Sequence, residues 1–314
     1  MRDVVIIGGG LSGLLAAYML RQRGLSAVLV EVKAELGGSL RTTRQAGFTV
    51  DSVVFATWGD LPEALLADLG LSDALFPLNE QVSAFKDGVG QLVAALAARL
   101  ATSPLTRMAA SSIGKLENAR IGICLENGLL LDARRVIVAV PARYAARLFA
   151  ASAPQVTAEL LDYQYDTVQR VSLGYTAEAL DSVQPRFFSD PSYVYRYETR
   201  HLSRVPAGHA LLHIALRVSP QHATPQQMVQ HVTAHIGYPQ DPLVQVVGYW
   251  AEADPLSCYD DHHPQRMQTI AAHLPPRIAL IGSDYALHPS RKPGVVALGE
   301  RVEQARQAVE RVLA

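Results

Sequence analysis

The sequence predicts a three-layer α/β domain with a smaller α+β domain interleaved into it, on three observations. First, the apolar run Val4 to Ile7 is too short for a buried helix. It is followed at once by Gly8, Gly10 and Gly13 in the spacing G-x-G-x-x-G and then by a helix-forming stretch. Second, another apolar run, Ala27 to Val30, ends on an acid, Glu31, eighteen residues past Gly13 (31 − 13). Third, runs rich in β-formers, Thr167 to Tyr175, Ala210 to Leu216 and Leu243 to Trp250, alternate with helical stretches in the second half. At 314 residues the chain also exceeds what one hydrophobic core usually organises.

The strand, glycine turn and helix together read as a Rossmann-type dinucleotide site. Gly8 permits the tight turn, Gly10 lets the backbone approach a pyrophosphate, and Gly13 allows close packing of helix on strand. The free N–H groups of the helix start, at Leu11, Ser12 and Gly13, then face the phosphates. Glu31 is placed to accept the hydroxyls of an adenosine ribose, with Val32 and Lys33 beside it, and would repel a 2′-phosphate. The glycine doublet Gly37-Gly38, six residues past Glu31 (37 − 31), again gives backbone access to the pyrophosphate, with Ser39 and Arg41 following.

The run E-V-K-A-E-L-G-G-S-L-R-T, followed by G-F-T-V-D, resembles the FAD fingerprint of the flavin amine oxidase superfamily. That superfamily includes monoamine oxidases, L-amino acid oxidases, protoporphyrinogen oxidases and phytoene desaturases. The resemblance continues in order through D-G-V-G-Q-L-V (87–93), E-N-G-L-L-L-D-A-R-R-V-I-V-A-V-P-A (126–142), I-A-L-I-G-S-D-Y (278–285) and P-G-V-V-A-L-G-E (293–300). It implies non-covalent FAD, since Ser290, Arg291 and Lys292 stand where some amine oxidases carry an attaching cysteine. It also implies cofactor contacts at Ile113, on the adenine side, and at Val54, Phe55, Gly282, Asp284, Gly294, Val295 and Val296, with Asp284 reaching the ribityl or phosphate hydroxyls. Two departures stand out. Ser39 replaces the arginine that commonly follows the doublet, and only Leu71 to Lys86 separates D-L-G-L from D-G-V-G, where larger members insert much of a substrate-binding region.

The expected activity is a FAD-dependent oxidase or dehydrogenase that takes a hydride from a C–N or C–C bond of an amine, cyclic or polyene substrate. Oxygen or another electron acceptor completes the cycle. The expected ring environment includes Trp250, Tyr249, Tyr285, His288, Arg291, Lys292 and Phe55. Of these, Trp250, Tyr285 and Lys292 are the candidate catalytic residues; Lys292 is one of only four lysines and precedes Pro293-Gly294, although a surface lysine in a polar turn is the alternative. An NAD-binding oxidoreductase and a FAD-binding protein without turnover remain the other readings.

The dinucleotide domain is expected to take residues 1–56, 86–150 and 276–314, and the substrate domain 57–85 and 151–275. Formal net charge is −1 with no block of lysines, which argues against nucleic acid. The apolar opening Val4 to Leu20 carries four glycines and no cationic n-region, so it reads as part of the fold rather than as a signal or a membrane span. With two cysteines, Cys124 and Cys258, no disulfide is expected, and the location expected is cytoplasmic. No metal site is expected. His231 and His235 lie at i and i+4 without the glutamate of H-E-x-x-H, and His262-His263 reads as a solvated polar loop. Oligomeric state is not legible.

Overall fold

The computed structural model describes residues 2–56, 62–117, 120–183, 192–217, 224–239, 241–287 and 295–314. It opens on β1 (Arg2–Ile7), whose alternation sends Val4 and Ile6 into one apolar core and Val5 and Ile7 into another. Both faces are covered, which is why the strand is continuously apolar. After the Gly8 turn, α1 (Leu11–Gln22) is buried along almost its whole first three turns because it lies between the sheet and other helices. Next, β2 (Ala27–Glu31) pairs parallel with β1. The hairpin β3 (Thr42–Gln45) and β4 (Phe48–Asp51) turns through Ala46 and Gly47, both at positive φ. Then follow β5 (Val54–Ala56), α2 (Glu63–Asp68), β6 (Leu75–Pro77), β7 (Val82–Phe85), α3 (Gly90–Ala97) and β8 (Leu105–Thr106), the last running parallel to the end of β2.

The meander β9 (Ala110–Lys115), β10 (Ile121–Leu125) and β11 (Leu130–Val138) closes back onto β1, with β11 antiparallel to β10 at its start and parallel to β1 beyond it. The helices α4 (Ala142–Phe149) and α5 (Pro154–Leu161) cover that face. The second domain is a four-stranded antiparallel sheet of β12 (Tyr165–Thr176), β13 (Tyr193–Thr199), β14 (His209–Arg217) and β15 (Val244–Pro255) in the order β13-β14-β12-β15, with α6 (Ala177–Asp181) after β12. Its outer face, with Val171, Leu173, Leu212 and Ile214, packs on α7 (Pro225–Ile236) through Met228, Val229, Val232 and Ile236. At the start of α7, Thr224 accepts from Gln227 N, Gln227 reaches back in a capping box, and Pro225 takes the first turn. The chain returns through α8 (His263–His273), β16 (Ile278–Leu280), which pairs parallel with β11, β17 (Val295–Val296) and α9 (Leu298–Leu313).

Two sequence expectations are corrected here. Leu65, Leu66, Leu69, Leu71 and Phe85, expected in the second domain, are buried in the same core as Leu14, Leu15 and Leu92. Moreover, β6 and β7 form a small sheet with β5 and β17 in the order β17-β5-β7-β6. The shortened segment thus belongs with the dinucleotide domain, because its apolar side chains find their cover against α1 and α3. His263 is also not on a solvated loop. It is 1% exposed at the start of α8, with its Nε2 against the Ala286 carbonyl at 3.0 Å, and burial holds its pKa below the usual range.

Candidate active site

The glycine turn separates packing from vacancy. A Cβ on Gly8 would collide with the carbonyl of Ala139, and one on Gly13 with the carbonyl of Gly8; Gly8 also sits at φ +108°. Those two glycines are demanded by the fold itself. Gly10 is different. Its backbone is ordinary extended chain (φ −73°, ψ −177°), and a Cβ there would meet only the Gly38 Cα at 3.9 Å. Across from it, Gly37 and Gly38 hold φ of +105° and +62°, and Gly37 N donates to Gly9 O at 2.7 Å, so the two glycine segments are stitched side by side. The first N–H groups of α1, at Leu11 and Ser12, have no side-chain cap and no acid in the first turn. Open space over a glycine that the fold does not need, with uncapped helix donors beside it, fits a pyrophosphate.

Glu31 ends β2 at 6% exposure. Its Oε2 accepts from Gly9 N at 2.7 Å and its Oε1 from Lys33 N at 2.8 Å, so two backbone donors orient the carboxylate and leave further lone pairs for ribose hydroxyls. The neighbouring edge is formed by Arg107 and Met108, whose N–H groups donate to the carbonyls of Lys33 and Glu31 at 3.0 Å each. Sequence reasoning missed both; the positive φ of Arg107 (56°) left no mark on residue type. Ile113 is 2% exposed within β9 and packs with Val5 and Ile123 in the core against which Met108 also lies. Val32 is 61% exposed at the strand end. Arg41, which follows Ser39, pairs with Glu35 at 2.6 Å on the surface, an interaction weak enough to be surrendered to a phosphate.

At the other end, β17 lies parallel to β5, with Val295 opposite Val54 and Val296 opposite Phe55. Four expected flavin contacts, separated by more than two hundred residues, therefore meet in one small sheet. The α9 helix begins just after them, without a side-chain cap at Ala297. His288, Arg291, Lys292 and Gly294 lie outside the described residues. Asp284 does not reach outward as expected. Its Oδ2 accepts from Ala142 N at 2.9 Å and from the Tyr165 hydroxyl, its Oδ1 from Ser283, and burial raises its pKa. The carboxylate caps α4, whose N-terminal dipole and N–H groups favour it. Tyr285 is corrected likewise. It is 5% exposed and donates to the Val140 carbonyl at 2.8 Å, so its role is to tie the turn at Gly282 to the sheet. Gly282 itself is gripped by the Gln304 amide, which accepts from its N–H and donates to its carbonyl at 3.0 Å each.

Between the glycine doublet and the inner face of the second sheet lies a cavity of about 260 Å³. Its floor is Lys33, Gly38, Ser39, Arg41 and Ser52, and its roof is Arg170, Ser172 and Trp250. Trp250 is half-buried and packs on the dinucleotide-domain core. Tyr249 borders the cavity too, but its ring is 67% exposed because adjacent strand residues project to opposite faces. Ser172 is held by His213 Nδ1 at 2.8 Å, and burial plus the nearby Arg204 and Arg170 push His213 down to about 3, which keeps it neutral. The sheet is docked by Arg204, whose Nη1 meets Asp51 Oδ2 at 2.6 Å with both side chains almost fully buried. Asp51 also takes Thr42 Oγ1 at 2.6 Å and Val89 N at 2.9 Å. Among the described residues there is no cluster of three or more metal-ligating side chains, and no helix is long and apolar enough to cross a membrane.

Comparison with known proteins agrees with this geometry. A model of an NAD(P)-binding Rossmann-like domain matches residues 6–66, and the flavin containing amine oxidoreductase family model matches residues 52–302, most of the chain. Protoporphyrinogen oxidase 2 of Arabidopsis thaliana is 37% identical over 83 residues, 26% of this chain and 16% of that protein. Coproporphyrinogen III oxidase of Mycobacterium tuberculosis is 44% identical over 77 residues, 23% of this chain and 17% of that protein. These matches thus span less than a fifth of the curated relatives' length. Among solved structures, a protein of Exiguobacterium sp. 255-15 provisionally described as a protoporphyrinogen oxidase superposes with a TM-score of 0.81 at 14% identity, covering 98% of each chain. Cyclohexylamine oxidase from Brevibacterium oxydans superposes at 0.68 with 14% identity over 99% of this chain and 98% of that one. The extent of the family match, joined to a glycine cradle that fits a pyrophosphate, places this chain in the flavin containing amine oxidoreductase family, with FAD as its non-covalent cofactor.

Proposed function

We propose that this protein is a FAD-dependent oxidoreductase acting on a small molecule, an amine or a reduced cyclic or polyene compound. When bound, the flavin supplies a hydride acceptor for an activated C–H bond. The observation that supports this reading best is the pairing of two features: the room over Gly10 beside the helix start, and the cavity roofed by Arg170 and Trp250. The protein's own residues then have defined tasks. The N–H groups of Leu11 and Ser12 and the carboxylate of Glu31 hold the adenosine half. Val54, Phe55, Val295 and Val296 form an apolar bed at the other half. Trp250 shields the cavity from water, and Ser172, its hydroxyl placed by neutral His213, offers a hydrogen-bonding group to the substrate. Lys292, outside the described residues, is kept as a candidate for a water-holding or charge-stabilising role. We place the protein in the cytoplasm, in keeping with Cys124 and Cys258 being thiols rather than a disulfide.

The test begins with acid precipitation of the purified protein. Flavin absorbance in the supernatant is expected; colour retained by the pellet counts against non-covalent attachment, and NAD in its place against the cofactor. Anaerobic titration with a panel of primary and cyclic amines and porphyrinogens should then bleach the flavin band with at least one of them. A flavin reduced by dithionite but by no member of the panel would overturn the proposed turnover.

A further inference from the structure

The inner face of the second sheet carries an arginine that no group among the described residues neutralises. Arg170 stands on β12 opposite Ala215 on one side and Gly248 on the other, so two small neighbours leave its guanidinium room within the cavity. The guanidinium lies over the Trp250 ring at 5.3 Å from the centroid. Its Nη1 is withdrawn from solvent and has no hydrogen-bond partner. Neighbouring arginines are treated otherwise. Arg196 pairs with Glu198, Arg200 with Asp181, Arg204 with Asp51 and Arg217 with Asp166. The one carboxylate that lines the cavity, Asp51, is already occupied by Arg204, Thr42 and Val89. Tyr195, on β13 across β14 from Arg170, is kept protonated by burial, and His213 is neutral.

A buried cation without a counter-ion is costly to the fold, since desolvation is not offset by attraction. The cost is removed when a ligand brings an anion. A guanidinium is planar and presents paired donors that match a carboxylate, and Trp250 beside it offers a flat apolar wall. The pyrophosphate has its own donors at the glycine cradle and the start of α1, so the anion that meets Arg170 belongs to the other occupant of the cavity.

We propose that Arg170 is the anchor for a substrate carboxylate, so that this enzyme takes molecules bearing a carboxylate next to a flat or apolar body, the carboxylate on Arg170 and the body against Trp250. The cavity's role as the substrate site rests on the proposed flavin function; the anion preference does not.

The test uses the purified flavin-loaded protein, titrated calorimetrically with benzoate and with benzamide, a neutral body of the same shape. Benzoate is expected to bind and benzamide to bind at least tenfold more weakly. Arg170→Met should weaken benzoate by about 30-fold or more, the consequence of removing one partner of a desolvated charge pair, and leave benzamide unchanged. Arg170→Lys, which keeps the charge and loses the paired donors, should fall between the two, and it carries the test if the methionine variant does not fold. In turnover, Arg170→Met should raise KM for a carboxylate-bearing substrate far more than it lowers kcat. Equal affinity for benzoate and benzamide overturns the proposal, as does benzoate binding that ignores the substitution. A variant that folds but loses FAD also overturns it, because Arg170 then serves the cofactor. If no substrate reduces the flavin while benzoate binding still depends on Arg170, the redox function fails and the carboxylate site stands.

Discussion

Replacing Arg204 by Met should loosen the seam between the two domains. Arg204 leaves the connection after β13 and inserts its guanidinium beneath β4, where Nη1 donates to Asp51 Oδ2 at 2.6 Å and to the Phe85 carbonyl at 2.8 Å. The side chains of the pair are 2% and 3% exposed. Methionine is unbranched and fills much of the same space, so the loss is mostly electrostatic. It leaves the Asp51 carboxylate buried with only the Thr42 hydroxyl and the Val89 N–H as donors. Breaking one side of such a pair costs about 3–5 kcal/mol. Asp51→Asn should cost a similar amount by stranding Arg204. The double variant should cost clearly less than the sum of the two singles, because the second substitution removes a charge that is already uncompensated. Urea unfolding of all four proteins, at equal and saturating FAD so that ligand binding does not differ among them, gives the coupling energy. We expect at least about 2 kcal/mol. Costs that add to within about 0.5 kcal/mol would refute the reasoning, since the two residues would then act independently.

The glycine turn supplies a paired prediction: Gly13→Ala should lower the thermal midpoint of the apoprotein through its collision with the Gly8 carbonyl, whereas Gly10→Ala should leave that midpoint almost unchanged and weaken FAD binding, measured by flavin fluorescence. If both variants lose stability equally, the space over Gly10 is not a ligand's. Glu31→Gln keeps the shape but removes the charge from the ribose contact, and FAD should bind about 1–3 kcal/mol more weakly; an unchanged dissociation constant would place the ribose elsewhere. His213 yields a pH signature. Its folded pKa, lowered to about 3 from 6.5, means that below pH 6.5 the unfolded chain takes up a proton that the folded chain refuses, so stability is lost as pH falls through that window. The slope is at most about 1.4 kcal/mol per pH unit, or about 2 kcal/mol by pH 5. A His213→Gln variant should lack that slope in urea titrations at pH 7 and pH 5, and an identical slope in both proteins would show that His213 charges in the fold.

What the sequence determined by itself was whatever short-range chemistry dictates. A strand, a glycine spacing and an acid at a set distance define the cradle at Gly8 to Gly13 and Glu31, because each acts on its own turn of backbone or on the strand next to it. The β-rich run Thr167 to Tyr175 was legible for the same reason. Tertiary structure decided everything that depends on which distant side chain comes to face which. Asp284 and Tyr285 are polar groups near the expected flavin, yet the helix start at Ala142 and the carbonyl of Val140 claim them, and nothing near position 284 in the sequence announces a donor 142 residues away. Residues 62–85 read as a remnant of the second domain until α1 and α3 are seen to bury them. Arg204 and Arg170 are the sharpest contrast. Both are arginines of the second domain aimed at the first, and their residue type is the same. Only the folded neighbourhood separates them: Arg204 meets a buried carboxylate and is a structural clamp, whereas Arg170 faces a cavity.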